Sequence, residues 1–128
     1  MRNLFVCLIL ATPATGQDAL NGTDFDRFAT GKTLGYSIAP HPHYGTERYM
    51  DNRRVIWSTI DGRCATGVWF ESKGQICFRY DDDPAHKCWH FYPDGDDLIG
   101  YYRNNNTQPY LIDVIEDDDL FQCGQLSS

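Results

Sequence analysis

Gln75-Ile76-Cys77-Phe78-Arg79-Tyr80 and Lys87-Cys88-Trp89-His90-Phe91-Tyr92 are two runs with one pattern, apolar at every second position. Side chains of a strand alternate between its two faces. Ile76, Phe78 and Tyr80 therefore share one face, and Cys77 shares the other with Arg79. In the second run Trp89 and Phe91 share a face, and Cys88 lies opposite with His90. A hairpin that brings the two apolar faces together sets Cys77 across from Cys88. Directly opposite residues have Cβ atoms about 4.5–5.5 Å apart, close to the spacing of a disulfide. The reading is a Cys77–Cys88 bridge, and by elimination Cys64–Cys123. In the chain-entropy account the short loop is worth about 3 kcal/mol and the long one about 4 kcal/mol.

The same alternation runs outward from this hairpin in both directions. Strands are predicted at Thr33–Ile38, 45–50, Arg54–Thr59, 64–71, Gln75–Tyr80, 87–92, 97–103 and 109–116. Turn residues punctuate them: Asp51-Asn52, Asp61-Gly62, Ser72-Lys73-Gly74 and Pro93-Asp94-Gly95. An acidic loop, 81–84, separates the two cysteine runs. Ahead of the strands, Thr23 is the expected N-cap of a helix over 24–30. Asp24 and Asp26 suit its first turn, Phe25 and Phe28 share a face, and Gly31 supplies the stop. Eight short strands joined by short loops predict an all-β, up-and-down, lipocalin-like antiparallel barrel with one short N-terminal helix. A two-sheet sandwich needs longer crossovers than the sequence offers.

The first residues, MRNLFVCLILATPATGQ, place one basic residue before a short apolar run and then small residues. That order is a cleaved secretory signal, and the run is too short for a bilayer span. Cleavage is expected after Gly16, with Ala14 as second choice. Residues 1–16 are then the signal and 17–128 a single barrel domain, periplasmic or secreted. Cys7 goes with the signal, and an even four cysteines remain in an exported domain, which reads as two disulfides. The chain carries 11 basic and 18 acidic residues, a formal net charge of −7. Such a chain repels phosphate backbones and anionic lipid, so nucleic acid is not an expected partner. No other segment suits a membrane span, and a monomer is expected.

Three constellations could carry chemistry. His86, Cys88 and His90 share a strand face with Cys77 opposite, a nitrogen and sulfur set that zinc accepts. In an oxidising compartment the sulfurs join each other, which leaves His86 and His90 as bystanders and the only metal candidates. His41-Pro42-His43 reads as a surface loop. The acidic runs 81–83, 94–97 and 116–119 lack the spacing of a calcium loop and read as solvated turns. In a meander the second and third of these share one rim and the first lies at the other. Nucleophile and phosphate-loop motifs are absent, so an enzyme is not expected and no cofactor is implied. The aromatic residues are the remaining signal. An eight-stranded interior is just wide enough to be filled by side chains or to hold one small ligand. A filled interior is expected. Trp57, Trp69, Trp89, Tyr36 and Tyr80 are the candidate ligand contacts if a ligand is held.

Tyr44-Gly45 with Glu47 and Tyr49, Arg53-Arg54-Val55, Gly67-Val68-Trp69, Cys77-Phe78 with Tyr80, and Cys88-Trp89 form a distinctive set. With them the chain resembles an uncharacterised family of small exported alphaproteobacterial proteins, over roughly residues 25–92. That resemblance implies a periplasmic or secreted protein and brings no catalytic residues. The size and the short helix also look like the periplasmic inhibitors of bacterial metalloproteases, which are eight-stranded barrels. The expected function is a non-enzymatic binding module for a small ligand or envelope component. The alternatives are a periplasmic inhibitor of an exported protease, acting through 17–23 or 39–44, and a weak surface metal binder.

Overall fold

The computed structural model describes residues 18–38, 41–102 and 110–124, with the side chains of 41–43 and 110–111 outside that description. The signal expected over 1–16, residue 17, and residues 39–40 lie outside it. Eight antiparallel strands close into a barrel in sequence order, β1 pairing with both β2 and β8. The strands are β1 Thr33–Ile38, β2 His41–Tyr49, β3 Arg54–Thr59, β4 Cys64–Ser72, β5 Gln75–Tyr80, β6 Asp83–Asp94, β7 Asp97–Tyr102 and β8 Tyr110–Glu116. Closure gives every strand a hydrogen-bonded neighbour on both sides over at least part of its length, so the barrel has no edge strand.

The helix α1 runs over Gly22–Ala29, two residues earlier than expected. The cap is Asn21, whose side-chain oxygen accepts from the Asp24 N–H at 2.8 Å. Thr23 sits inside the first turn. Asn satisfies an orphan N–H of the first turn as well as Thr does, so propensity alone does not separate the two. Gly31 ends the element at a φ of 88°, and its N–H donates to the Tyr49 carbonyl at 2.9 Å. This ties the helix to the end of β2.

Two strands differ from their predicted extents by more than one residue at an end. His41-Pro42-His43, expected as a loop, belongs to β2, because the chain re-enters the ladder at the Ile38 to His41 pairing. β6 begins at Asp83, four residues early, although Pro84 reads as a breaker. Phe78 pairs with Lys87 but Tyr80 with Asp83, so β6 carries extra residues against β5 at that point. A bulge accommodates a proline that a regular ladder would not.

The two ends of the barrel are built differently. At one end α1 plugs the interior. Phe25 is fully buried, with ring centroids 4.9 Å from Phe91, 5.0 Å from Trp69 and 5.5 Å from Tyr49. Leu34, Val55, Ile76 and Leu98 complete this packed half. The turns after β6 and the chain after β8 lie at the same end as α1, so acidic runs 94–97 and 116–119 share a rim and 81–83 lies at the other.

The chain after β8 crosses the outside of the barrel. The Asp117 N–H donates to the Thr33 carbonyl at 3.0 Å, and the Arg48 guanidinium lies 3.9 Å from the Phe121 ring centroid. The Gln122 N–H donates to Ser58 Oγ at 3.1 Å, and Cys123 bridges to Cys64. Thr46 and Ser58, which point outward, are buried as a result. The second disulfide is Cys77–Cys88, between directly paired residues of β5 and β6. Cys77 is buried despite its outward position, with Phe70 as its cross-strand partner on β4.

Candidate functional site

The end of the barrel away from α1 is not filled, contrary to the packed interior expected from the sequence. It holds a cavity of about 740 Å³. The physical reason lies in the inward positions of this half. Gly45 on β2, Thr59 on β3 and Ala65 on β4 are small where α1's end presents Tyr49, Trp69 and Phe91. Gly45 is needed for another reason. A Cβ there would lie 2.2 Å from Trp57 Cζ2, so the absence of a side chain lets the indole lie over the β2 backbone.

Each strand from β1 to β6 contributes to the wall. Tyr36 comes from β1, Tyr44 and Glu47 from β2, and Trp57 from β3. Phe78 and Tyr80 come from β5, and Lys87 and Trp89 from β6. The bulge on β6 also brings Asp83 to the wall, beside Asp82 of the preceding turn. Arg63 and Cys64 approach from the β3–β4 hairpin, where Gly62 adopts a φ of 86°. The rings form a connected set: Tyr36 packs on Trp57 at 5.6 Å and Trp89 on Tyr102 at 4.6 Å.

Glu47 is the group that sets the chemistry of this space. It occupies an inward position of β2, between Leu34 of β1 and Trp57 of β3, and is 1% exposed. The Tyr80 hydroxyl donates to its Oε1 at 2.8 Å. Its Oε2 is buried and has no hydrogen-bond partner. Burial pushes the carboxyl up to about 8, while the Tyr80 hydrogen bond and the Lys87 ammonium pull the other way. Desolvation disfavours the charged form, so near neutrality Glu47 is mainly a neutral acid. The Tyr36 and Tyr49 hydroxyls bond to each other. Burial raises the phenols of Tyr36, Tyr49 and Tyr80 well above their ordinary range, and all three stay neutral. The deep part of the cavity is therefore aromatic and uncharged at rest, with one buried carboxyl oxygen that has no partner.

Of the five aromatic residues named from the sequence, Tyr36, Trp57, Tyr80 and Trp89 line this cavity. Trp69 does not; it lies in the packed half against Phe25, with the Arg53 guanidinium 4.4 Å from its ring centroid. His86 packs edge-on against Phe70 at 5.1 Å, and His90 sits 6.4 Å from the Tyr101 ring. The sulfurs beside them are in a disulfide, and no group of three or more metal-binding side chains occurs among the described residues. The segment expected as an inhibitory arm is docked from Leu20 onward, whose N–H donates to the Phe91 carbonyl at 2.8 Å.

Sequence reasoning did not single out Glu47, Arg63 or Lys87 as ligand contacts, and it named Tyr44 only within the 39–44 segment of the inhibitor alternative. A signal for Glu47 existed: a carboxylate at an inward position, in the row Gly45, Glu47, Tyr49, needs a partner or a purpose. No known protein family, curated protein or solved structure matches the chain. The fold and the site are accordingly read from this chain alone. Two disulfides fit a non-cytoplasmic setting, and no helix among the described residues is long and apolar enough to cross a membrane.

Proposed function

We propose that this chain is an exported, non-enzymatic binding barrel that holds a small, largely aromatic or apolar ligand at the end away from α1. The observation that carries this reading is the cavity itself. A volume of about 740 Å³ is in the range of small-molecule sites, and its wall sets the rings of Tyr36, Trp57, Tyr80 and Trp89 beside the polar groups of Glu47, Arg63, Asp82, Asp83 and Lys87. The packed half supports it mechanically. A rigid plug beneath the cavity and two disulfides hold the walls in place before a ligand arrives, so little ordering cost falls on binding. The one cysteine in the wall is in a disulfide and offers no thiol nucleophile. The N-terminal pattern, the two disulfides and the resemblance to exported alphaproteobacterial proteins support a periplasmic or secreted location.

The test uses the neutral fluorescent probe N-phenyl-1-naphthylamine and the oxidised mature chain. Saturable binding at one site is expected, with quenching of tryptophan emission and a raised melting temperature, since a ligand that binds only the native state stabilises it. Ala65→Trp places an indole into the cavity and should abolish binding while the chain still folds. Unsaturable binding, or binding unchanged in Ala65→Trp, would refute the proposal.

A further inference from the structure

We infer that the ligand of this cavity is a small organic cation, an amine on an apolar or aromatic body, with Glu47 as its counter-ion. The inference rests on the binding reading above and names the ligand class. Two independent features support it. The first is the carboxyl: Glu47 is 1% exposed, lines the cavity, and has one oxygen held by Tyr80 while the other, Oε2, has no partner. A buried polar atom without a partner is costly, and an ammonium N–H would satisfy it with a charge-assisted bond. The second is the wall: Tyr36, Tyr44, Trp57, Tyr80 and Trp89 offer ring faces. Aromatic faces attract ammonium groups, most of all in a desolvated site. The Tyr80 hydroxyl, the tyrosine donor nearest the carboxyl, is already engaged with Glu47, and one hydroxyl of the Tyr36–Tyr49 pair donates to the other. The acidic charge of the whole chain draws cations toward the mouth.

The groups facing Glu47 are Tyr36 from β1, Tyr49 of its own strand, Tyr80 from β5 and Lys87 from β6. Arg63, Asp82 and Asp83 lie on the same cavity wall, Tyr44 shares β2, and β3 and the wall portion of β4 add no charge beyond Arg63. The exchange is a simple one. The Glu47 carboxyl O–H bond breaks and its proton leaves to solvent. The ammonium keeps its own protons and pairs with the carboxylate. Binding therefore releases a proton wherever the free carboxyl is protonated, which holds up to about pH 8. Below that point affinity should fall about tenfold for each unit of pH. A ligand that instead accepted a hydrogen bond from the neutral acid would bind independently of pH below that point and more weakly above it.

The experiment is calorimetric titration of the oxidised mature chain at pH 6, 7 and 8. The probes are phenethylamine and tryptamine, each against its alcohol and carboxylate counterparts of the same body. The amines should bind tightest, tighten about tenfold from pH 6 to 7, and release close to one proton at pH 7 in buffers of different ionisation heat. Glu47→Gln should lose the preference for amines and the pH slope. In case that variant does not fold, the carboxyl carbon of Glu47, one of only three glutamates in the chain, is followed by NMR. Adding an amine at pH 7 should move it to the ionised position, and a resonance that stays put overturns the inference. Tighter binding of the alcohol or carboxylate, or amine affinity independent of pH, also overturns it. If the neutral N-phenyl-1-naphthylamine binds and the ammonium probes do not, the cation inference fails and the cavity reading stands. If neither binds, both fail.

Discussion

The two halves of this barrel share their strands and their inward–outward alternation, yet one is solid and the other hollow. Under α1, a helix residue, Phe25, fills the axis and touches rings from β2, β4 and β6. At the far end the matching inward positions hold Gly45, Thr59 and Ala65, and a carboxyl where a core would place a hydrocarbon. An eight-stranded barrel is at the size where either outcome is possible. The difference teaches that alternation places side chains inside, while their volumes decide whether the inside is a core or a site. The packed half supplies stability and the hollow half spends some of it on an under-bonded carboxyl.

The comparison predicts unequal costs for truncating aromatic rings. Phe25→Ala removes the plug from a fully buried position and should cost about 3–5 kcal/mol of unfolding free energy. Trp89→Ala, on the cavity wall and only partly buried, should cost less than about 2 kcal/mol, because its loss enlarges a space that already exists. Denaturant unfolding with the disulfides intact measures both. Equal losses would mean that the cavity wall is packed as tightly as the core. The indole also stacks near Phe91, so Trp89→Phe serves as a milder variant of the same position.

A second difference between the halves is their response to pH. Glu47 has a folded-state value raised to about 8 from an ordinary 4.5. Between those values the folded chain holds a proton that the unfolded chain has lost. Unfolding stability attributable to Glu47 is therefore fully present below about pH 4.5, declines as pH rises, and is gone once pH exceeds about 8. The slope in the middle of that window is at most about 1.4 kcal/mol per pH unit. Glu47→Gln should remove this slope, so its stability relative to the native sequence rises from pH 5 to pH 9. Parallel curves for the two proteins would show that Glu47 is already ionised in the folded state. Tyr49 in the packed half is also shifted by burial, but upward from an ordinary 10.0 and so outside this window, and Phe25 variants should keep the native slope.

Much of the inward-facing surface of both halves could be read from the sequence. The inward rows Leu34-Tyr36, Ile76-Phe78-Tyr80 and Trp89-Phe91 follow from alternation, and the Cys77 to Cys88 pairing follows from register. The glycine turns at Gly62 and Gly74 have the positive φ that their residues imply. The cavity was not legible, because it depends on how tilted strands set small inward residues next to one another across the barrel. Alternation along one strand carries no such information. The bulge at 84–86 was hidden for a related reason. Pro84 is a breaker in a regular ladder, and only the β5 partner shows that β6 absorbs it. Glu47 was visible as an inward carboxylate, but its burial depends on Tyr80, thirty-three positions later.

The smallest effect concerns the cap of the plug. Thr23 and Asn21 are both good capping residues, but only Asn21 bonds the first turn, through its oxygen and the Asp24 N–H. Asn21→Ala should cost about 1 kcal/mol, whereas Thr23→Ala, exposed and inside the helix, should change stability by only a few tenths, about 0.3 kcal/mol. The pair sharpens the contrast between the halves because it loosens the closed end without altering a cavity residue. Hydrogen exchange should show faster opening of α1 in Asn21→Ala, while the affinity for the fluorescent probe stays within about twofold of native, since the cavity wall lies outside the perturbed element. A large loss of affinity would mean that the helix and the cavity open as one unit, and that the solid half does more than hold up the hollow one.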